Sequence, residues 1–255
     1  MAAPWRTAWI TGASSGIGEA LAVALAKSGV TVAASARSGG RLAELAAAHP
    51  GIAPLPLDVT DAAAMKDAVR SIAGTLGPID LAILNAGVWE PMSTRGFSAA
   101  KAQRSMAVNY QGVVNGVEAL LPHMLERGAG HIACVASVAG YRGLSPLTAA
   151  YGPTKAAVIN LAEALRNDLA GRGIAVSVIN PGYVETPMTS VNTFPMPYAL
   201  TAEDAARRII RGLARRKFEI AFPWQLVALL KLGRILPYPM FFWYARKFLA
   251  PVRRK

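Results

Sequence analysis

Cysteine is almost missing from this chain. The one present, Cys134, rules out an intramolecular disulfide and with it the small disulfide-framework class. Its apolar surroundings, residues 131–137, fit a buried strand in a reducing, intracellular compartment. Histidine is scarce as well, and His49, His123 and His131 lack the spacing of a metal-binding set, so no metal site is expected. No apolar run reaches the roughly 18 residues of a spanning helix. The two longest candidates, near the end, are broken by Lys231, Gly233 and Arg234, then by Pro237 and Pro239. The N-terminus has no basic segment leading into a long apolar stretch, so no signal peptide is expected and a cytoplasmic location follows. Acidic residues are missing from one region only. Residues 1–204 hold 14 basic and 14 acidic residues, whereas residues 205–255 hold 13 basic residues against Glu219 alone. A neutral body excludes a uniformly basic nucleic-acid binder. With 16% charged and 53% hydrophobic residues, the chain also falls outside the disordered class and can bury a large core as one unit.

What the chain does have is alternation. Short apolar runs at residues 6–10, 30–36, 52–57, 81–85, 131–136, 175–180 and 219–222 predict strands. Between them, residues 16–28, 61–74, 99–127, 149–170 and 202–216 place apolar side chains three and four apart and predict helices. This is the mark of βαβ units and a parallel sheet. Plausible caps precede several helices: Thr60 or Asp61, Ser98, and Thr201 with Asp204 three residues on. The alternation ends near residue 222, which divides the chain into a catalytic domain, 1–222, and an extension, 223–255.

The first strand runs into Thr11-Gly12-Ala13-Ser14-Ser15-Gly16-Ile17-Gly18 and then a helix. Glycines let the backbone turn tightly and approach a pyrophosphate, while the helix start favours negative charge. Strand before, helix after and position at the chain start favour a nucleotide site over a mere tight connection. The second strand ends Ser35-Ala36-Arg37. An acid near this point would accept from ribose hydroxyls; its absence, with Arg37 at hand for a 2′-phosphate, predicts NADP(H) rather than NAD(H). Asp58 has two equal readings, partner of an adenine amino group or cap of the next helix.

Further on stand Asn85-Ala86-Gly87, Ser137 at a strand end, and Tyr151-Gly152-Pro153-Thr154-Lys155 opening a helix. With TGASSGIG, LDVTD at 57–61, Asn109, and Pro181-Gly182 followed by Thr186, these motifs give residues 5–222 a sequence that resembles the short-chain dehydrogenase/reductase family. The resemblance implies a doubly wound Rossmann α/β fold, a seven-stranded parallel sheet with helices on both faces. It also implies a homodimer or homotetramer pairing helices 99–127 and 149–170. It places the cofactor against Gly12, Ser14, Ser15, Gly16, Ile17, Gly18, Arg37, Asp58, Val59, Asn85, Ala86, Gly87, Tyr151, Lys155, Pro181, Gly182, Val184 and Thr186. By the same resemblance Lys155 would hold the nicotinamide ribose, Thr186 the carboxamide, and Asn109, outside this set, a proton-relay water. The physical logic of Asn109, Ser137, Tyr151 and Lys155 also stands by itself. Tyr151 and Lys155, four apart, share a helix face, where an ammonium would lower the phenol pKa from about 10. Tyr151 could then exchange a proton with a substrate oxygen that Ser137 positions. Pro153 confines the helix start to the neighbourhood of Tyr151.

Val88, Trp89, Met92, Val138, Tyr141, Tyr183, Val184, Met188 and Phe194 are the expected pocket residues, with residues 191–198 as a lid. Their apolar character predicts a ketone, aldehyde or secondary alcohol without a charged group. A hydride-transferring oxidoreductase is the leading reading. A non-catalytic NADP(H) sensor, or an epimerase or dehydratase on the same residues, is the alternative, and net NADPH oxidation separates them. In the extension, aromatic and aliphatic residues interleave with cations. Two readings fit it equally: a segment lying in an anionic membrane interface at the inner face, or a cover over the pocket or a neighbouring subunit.

Overall fold

The computed structural model describes residues 3–143, 147–192 and 194–249. Thr193, within the expected lid, and residues 250–255, the end of the expected extension, lie outside the described residues. Seven strands form one parallel sheet: β1 Thr7–Thr11, β2 Thr31–Ser35, β3 Ile52–Pro54, β4 Leu81–Leu84, β5 Gly130–Val135, β6 Ile174–Pro181 and β7 Glu219–Phe222, in the order β3-β2-β1-β4-β5-β6-β7. β1, β4 and β6 are buried along their whole length, as strands covered on both faces must be. Side chains alternate between two cores. Trp9 joins α3 Ala62–Thr75, α5 Gly112–Arg127 and α6 Gly152–Asp168 on one face. Ala8 and Ile10 join α1 Gly16–Lys27, α2 Gly39–Ala48 and α7 Ala202–Ala214 on the other.

Strand order reverses between β1 and β4, and their register aligns Thr11 with Leu84 and Leu84 with Cys134. The carboxyl ends of β1, β4 and β5 therefore open one crevice, the place where doubly wound sheets bind ligands. At the opposite end of the sheet, Ser177 Oγ donates to the Lys217 carbonyl at 2.6 Å. His131 Nε2, 2.8 Å from that oxygen, must then be the donor, and its Nδ1 is buried without a partner.

Two elements differ from expectation. α2 was not foreseen: it opens on Gly39 and Gly40, poor helix formers, and buries only Leu42 and Leu45. The helix expected over 99–127 is α4 Ala99–Met106, a π-helical turn at Ala107–Gln111, and then α5. That turn carries the buried Asn109. Beyond β7 the extension forms α8 Trp224–Ile235 and α9 Tyr238–Tyr244, followed by a π-helical turn over Ala245–Leu249. α8 sends Leu230 into the same core as α6. Glu219, the single acid of residues 205–255, ties it down: its carboxylate accepts from Tyr141 at 2.5 Å, from Asn180 at 3.0 Å and from Lys231.

Candidate active site

The turn after β1 is shaped by close backbone approaches. Gly12 and Gly16 have φ of +69° and +57°, a region L side chains rarely enter. A Cβ on Gly12 would lie 2.8 Å from Ala86 Cα, and one on Gly16 would lie 2.9 Å from Thr186 Cγ2. Asp61, Ser98 and Thr201 cap their helices with a side-chain bond, but Ser15 makes none at the start of α1. The first turn of α1 thus presents N–H groups that no capping side chain takes. It faces a cleft of about 350 Å³ whose lining includes Gly12, Ser14, Ser15, Gly16, Ile17, Arg37, Asp58, Val59, Asn85, Ala86, Gly87 and Thr186. Glycine-walled, bordered by Arg37 and Ser38 and opening on a helix start, the cleft fits an extended phosphate-bearing group such as a dinucleotide.

Six expected cofactor residues do not line this cleft: Tyr151 and Lys155, described below, and Gly18, Val184, Pro181 and Gly182. Gly18 packs beneath the loop, where a Cβ would come 2.2 Å from the Gly12 carbonyl oxygen. Val184 is buried in the core beside α7. The Pro181 carbonyl accepts from Ser137 Oγ at 3.3 Å, and Gly182 borders the second cavity described below. The question over Asp58 is resolved against capping: Asp61 caps α3 by accepting from Ala64 N–H at 3.0 Å. Asp58 Oδ1 instead accepts from the Thr60 amide at 2.9 Å and hydroxyl at 2.8 Å. These bonds and nearby Arg37 outweigh its partial burial and hold it below the usual carboxylate value.

Asn109 Oδ1 and Lys155 Nζ stand beside Gly87 of this cleft, while Ser137 and Tyr151 line the second cavity. Asn109 Oδ1 accepts from the Val88 amide at 2.7 Å, and its Nδ2 donates to the Val88 carbonyl at 3.0 Å and to Thr154 Oγ1 at 3.1 Å. Its side chain thereby joins the loop after β4 to α6. Lys155 is buried, and its Nζ donates to the Val135 carbonyl at 2.8 Å beside Gly87. Pro153 falls in the first turn of α6, which begins at Gly152, as its missing N–H requires. A Cβ on Gly140 would meet the Lys155 carbonyl carbon at 2.6 Å, so the turn after Ser137 lies directly on the α6 backbone.

One electrostatic expectation is overturned. Burial pushes the Tyr151 phenol up to about 12, against a hydrogen bond with Ser137 that works to lower it. Lys155 Nζ sits 5.5 Å from the Tyr151 ring centroid and directs its proton to Val135 instead. Burial also lowers Lys155 itself to about 8. Near neutral pH this phenol is therefore protonated.

Tyr151 borders a second cavity, of about 200 Å³, and Trp89 packs edge-on against its ring at 5.2 Å. Of the expected pocket residues, Trp89, Val138, Tyr183, Met188 and Phe194 line it. Val88 faces the dinucleotide cleft instead, Met92 is buried beneath the Thr148 bridge, and Tyr141 turns its hydroxyl to Glu219. Sequence reasoning missed Ala139, Leu147, Thr148 and Thr189, whereas Asn192 comes from the expected lid and Leu226 and Leu230 from the extension expected as a possible cover. The two leucines are four apart on α8, a spacing that does mark one helix face. Met188 borders both cavities, which meet there.

The sequence model for short chain dehydrogenases matches residues 6–194. A protein of Myxococcus xanthus named an uncharacterized oxidoreductase is 38% identical over 247 residues, 95% of this chain and 97% of its own. The ketoacyl reductase HetN of Nostoc sp. is 33% identical over 84% of this chain and 77% of its own. Among solved structures, a short chain dehydrogenase/reductase from Burkholderia phymatum in complex with NAD superposes with a TM-score of 0.82 at 28% identity. It covers 90% of this chain and 92% of its own.

Proposed function

Because the chain belongs to the short-chain dehydrogenase family, we propose that it is an NADP(H)-dependent reductase of apolar ketones or aldehydes, working in reverse on secondary alcohols. The observation that carries this reading is the meeting of the two cavities at Met188, with Ser137 and Tyr151 lining the second of them. One cavity is glycine-walled with Arg37 at its rim; the other is lined by Trp89, Tyr183, Phe194, Leu226 and Leu230. Gly12, Ser14, Ser15, Gly16 and Ile17 would hold a pyrophosphate, Arg37 a 2′-phosphate, Asp58 and Val59 an adenine, and Asn85, Ala86, Gly87, Lys155 and Thr186 the nicotinamide half. Bound there, the cofactor supplies the hydride that a carbonyl carbon accepts.

The chain's own residues supply the rest. Ser137 donates to the substrate oxygen and sets its position. Tyr151, protonated at neutral pH, delivers the proton to that oxygen. Asn109 locks Val88 against α6 and so fixes the pocket side of the cleft. The apolar wall excludes water and favours uncharged substrates. The name of the Nostoc relative adds 3-oxoacyl compounds to the candidates.

The test is NADPH consumption over a panel of apolar ketones, aldehydes and long-chain 3-oxo compounds. Tyr151→Phe should lower turnover by about 10²–10⁴-fold while NADPH still binds; a variant as fast as the wild type defeats the assignment. Turnover without net NADPH oxidation would favour an epimerase or dehydratase.

A further inference from the structure

Among the described residues, α8 and α9 present an exposed outer face. Trp224, Leu232 and Ile235 of α8, with Tyr238, Phe242 and Trp243 of α9, are between 50 and 77% exposed. Their exposure is not that of a loose tail. Leu230, Phe241 and Tyr244 are buried beneath them. Arg142 Nη1 lies 2.7, 2.9 and 2.9 Å from the carbonyl oxygens of Gly233, Arg234 and Leu236, and its guanidinium sits 4.0 Å from the Phe241 ring centroid. Tyr238 and Phe242 stack on each other at 5.8 Å. Exposed apolar and aromatic side chains gathered on two successive helices and held outward by a fixed inner side mark an interaction surface.

Charge decides what the surface meets. Arg234, Arg246 and Lys247 are exposed along it, and Lys247 Nζ lies 5.1 Å from the Trp243 ring centroid. Residues 220–255 contain no acid at all. A two-fold contact between copies of this face would set cations against cations with no carboxylate to answer them. A bilayer with anionic headgroups supplies both missing halves: apolar depth for Trp, Tyr and Phe, and negative charge for Arg and Lys. Among the described residues no helix is long and apolar enough to cross a membrane, so the contact would lie in the surface plane. We propose that the outer face of α8 and α9 docks the protein on anionic lipid.

Flotation of the full chain on vesicles of one part phosphatidylglycerol to two of phosphatidylcholine, against phosphatidylcholine alone, tests this. Binding should be about tenfold stronger to the anionic vesicles and fall as NaCl rises from about 0.05 to 0.5 M. Ile235→Glu/Phe242→Glu should abolish it without changing the melting temperature or the mass in solution. Lipids brominated in the acyl chain report independently of folding in that variant. They should quench Trp224 and Trp243 of the wild-type chain, and quenching should drop in Trp224→Phe/Trp243→Phe. No binding to anionic vesicles at low salt, or no quenching, overturns the proposal. So does a dimer that the Ile235→Glu/Phe242→Glu variant dissociates, which would assign the face to a second copy.

Discussion

Arg37 is where one side chain separates two cofactors. It borders the cleft next to Ala36 and Ser38, with no acid at the end of β2 to repel a phosphate. Ser35, the preceding polar group, is buried and accepts from Trp9 Nε1 at 3.0 Å. A charge-assisted bond to phosphate contributes about 1.5–3 kcal/mol, so Arg37→Ala should weaken NADPH binding by roughly 10–100-fold and NADH far less. Fluorescence titration with both cofactors checks this; equal losses would remove the phosphate contact from the account. At this scale the sequence was most legible where a motif is local. The glycines of the first turn and the Tyr151/Lys155 pair stand where their spacing predicted. The phenol's acidity was illegible because the oxygen that engages Lys155 comes from Val135, twenty residues away at the end of β5. Asp58 was ambiguous for a related reason: Asp61, three residues on, had an equal claim to the cap, and only the geometry chose between them.

Among the elements, strands and amphipathic helices were readable because burial on one or both faces imposes a period. α2 escaped because its alanine-rich turns carry only Leu42 and Leu45 into the core. The π-helical turn at Ala107–Gln111 escaped because widening a single turn leaves the apolar pattern on either side intact. Arg142 was equally invisible, since its partners lie more than ninety residues away. It answers carbonyls that the end of α8 leaves unpaired. Arg142→Ala should therefore release α8 and α9 at a cost of about 1–3 kcal/mol. Because Leu226 and Leu230 would then no longer hold the pocket wall, KM for an apolar substrate should rise while cofactor affinity stays put. Steady-state kinetics with limited proteolysis of the extension reads both effects; an unchanged KM with unchanged protease resistance would show that the clamp is dispensable.

For the molecule as a whole, strand count and parallel direction followed from the alternation, and the reversal of strand order between β1 and β4 placed the site. Stability against acid is also a property of the whole fold. Burial first, then the charges of Arg216 and Arg166, lower His131 to about 4 from its ordinary value of 6.5. Between those values the unfolded chain binds the extra proton, so this contribution to stability is present above 6.5 and is lost as pH falls toward 4. A shift of this size corresponds to a loss of order 3 kcal/mol. Chemical denaturation at a series of pH values should show that decline, and His131→Gln should flatten it; an identical slope in the variant would place the acid sensitivity elsewhere. α8 carries a consequence of another kind. Its Leu226 and Leu230 form part of the wall that substrate meets, yet both lie beyond residue 194, where the match to the family ends. Part of the pocket wall is thus written outside the stretch that marks the family. Two relatives alike through their first two hundred residues or so could diverge in diet by exchanging one terminal helix, their shared ancestry untouched.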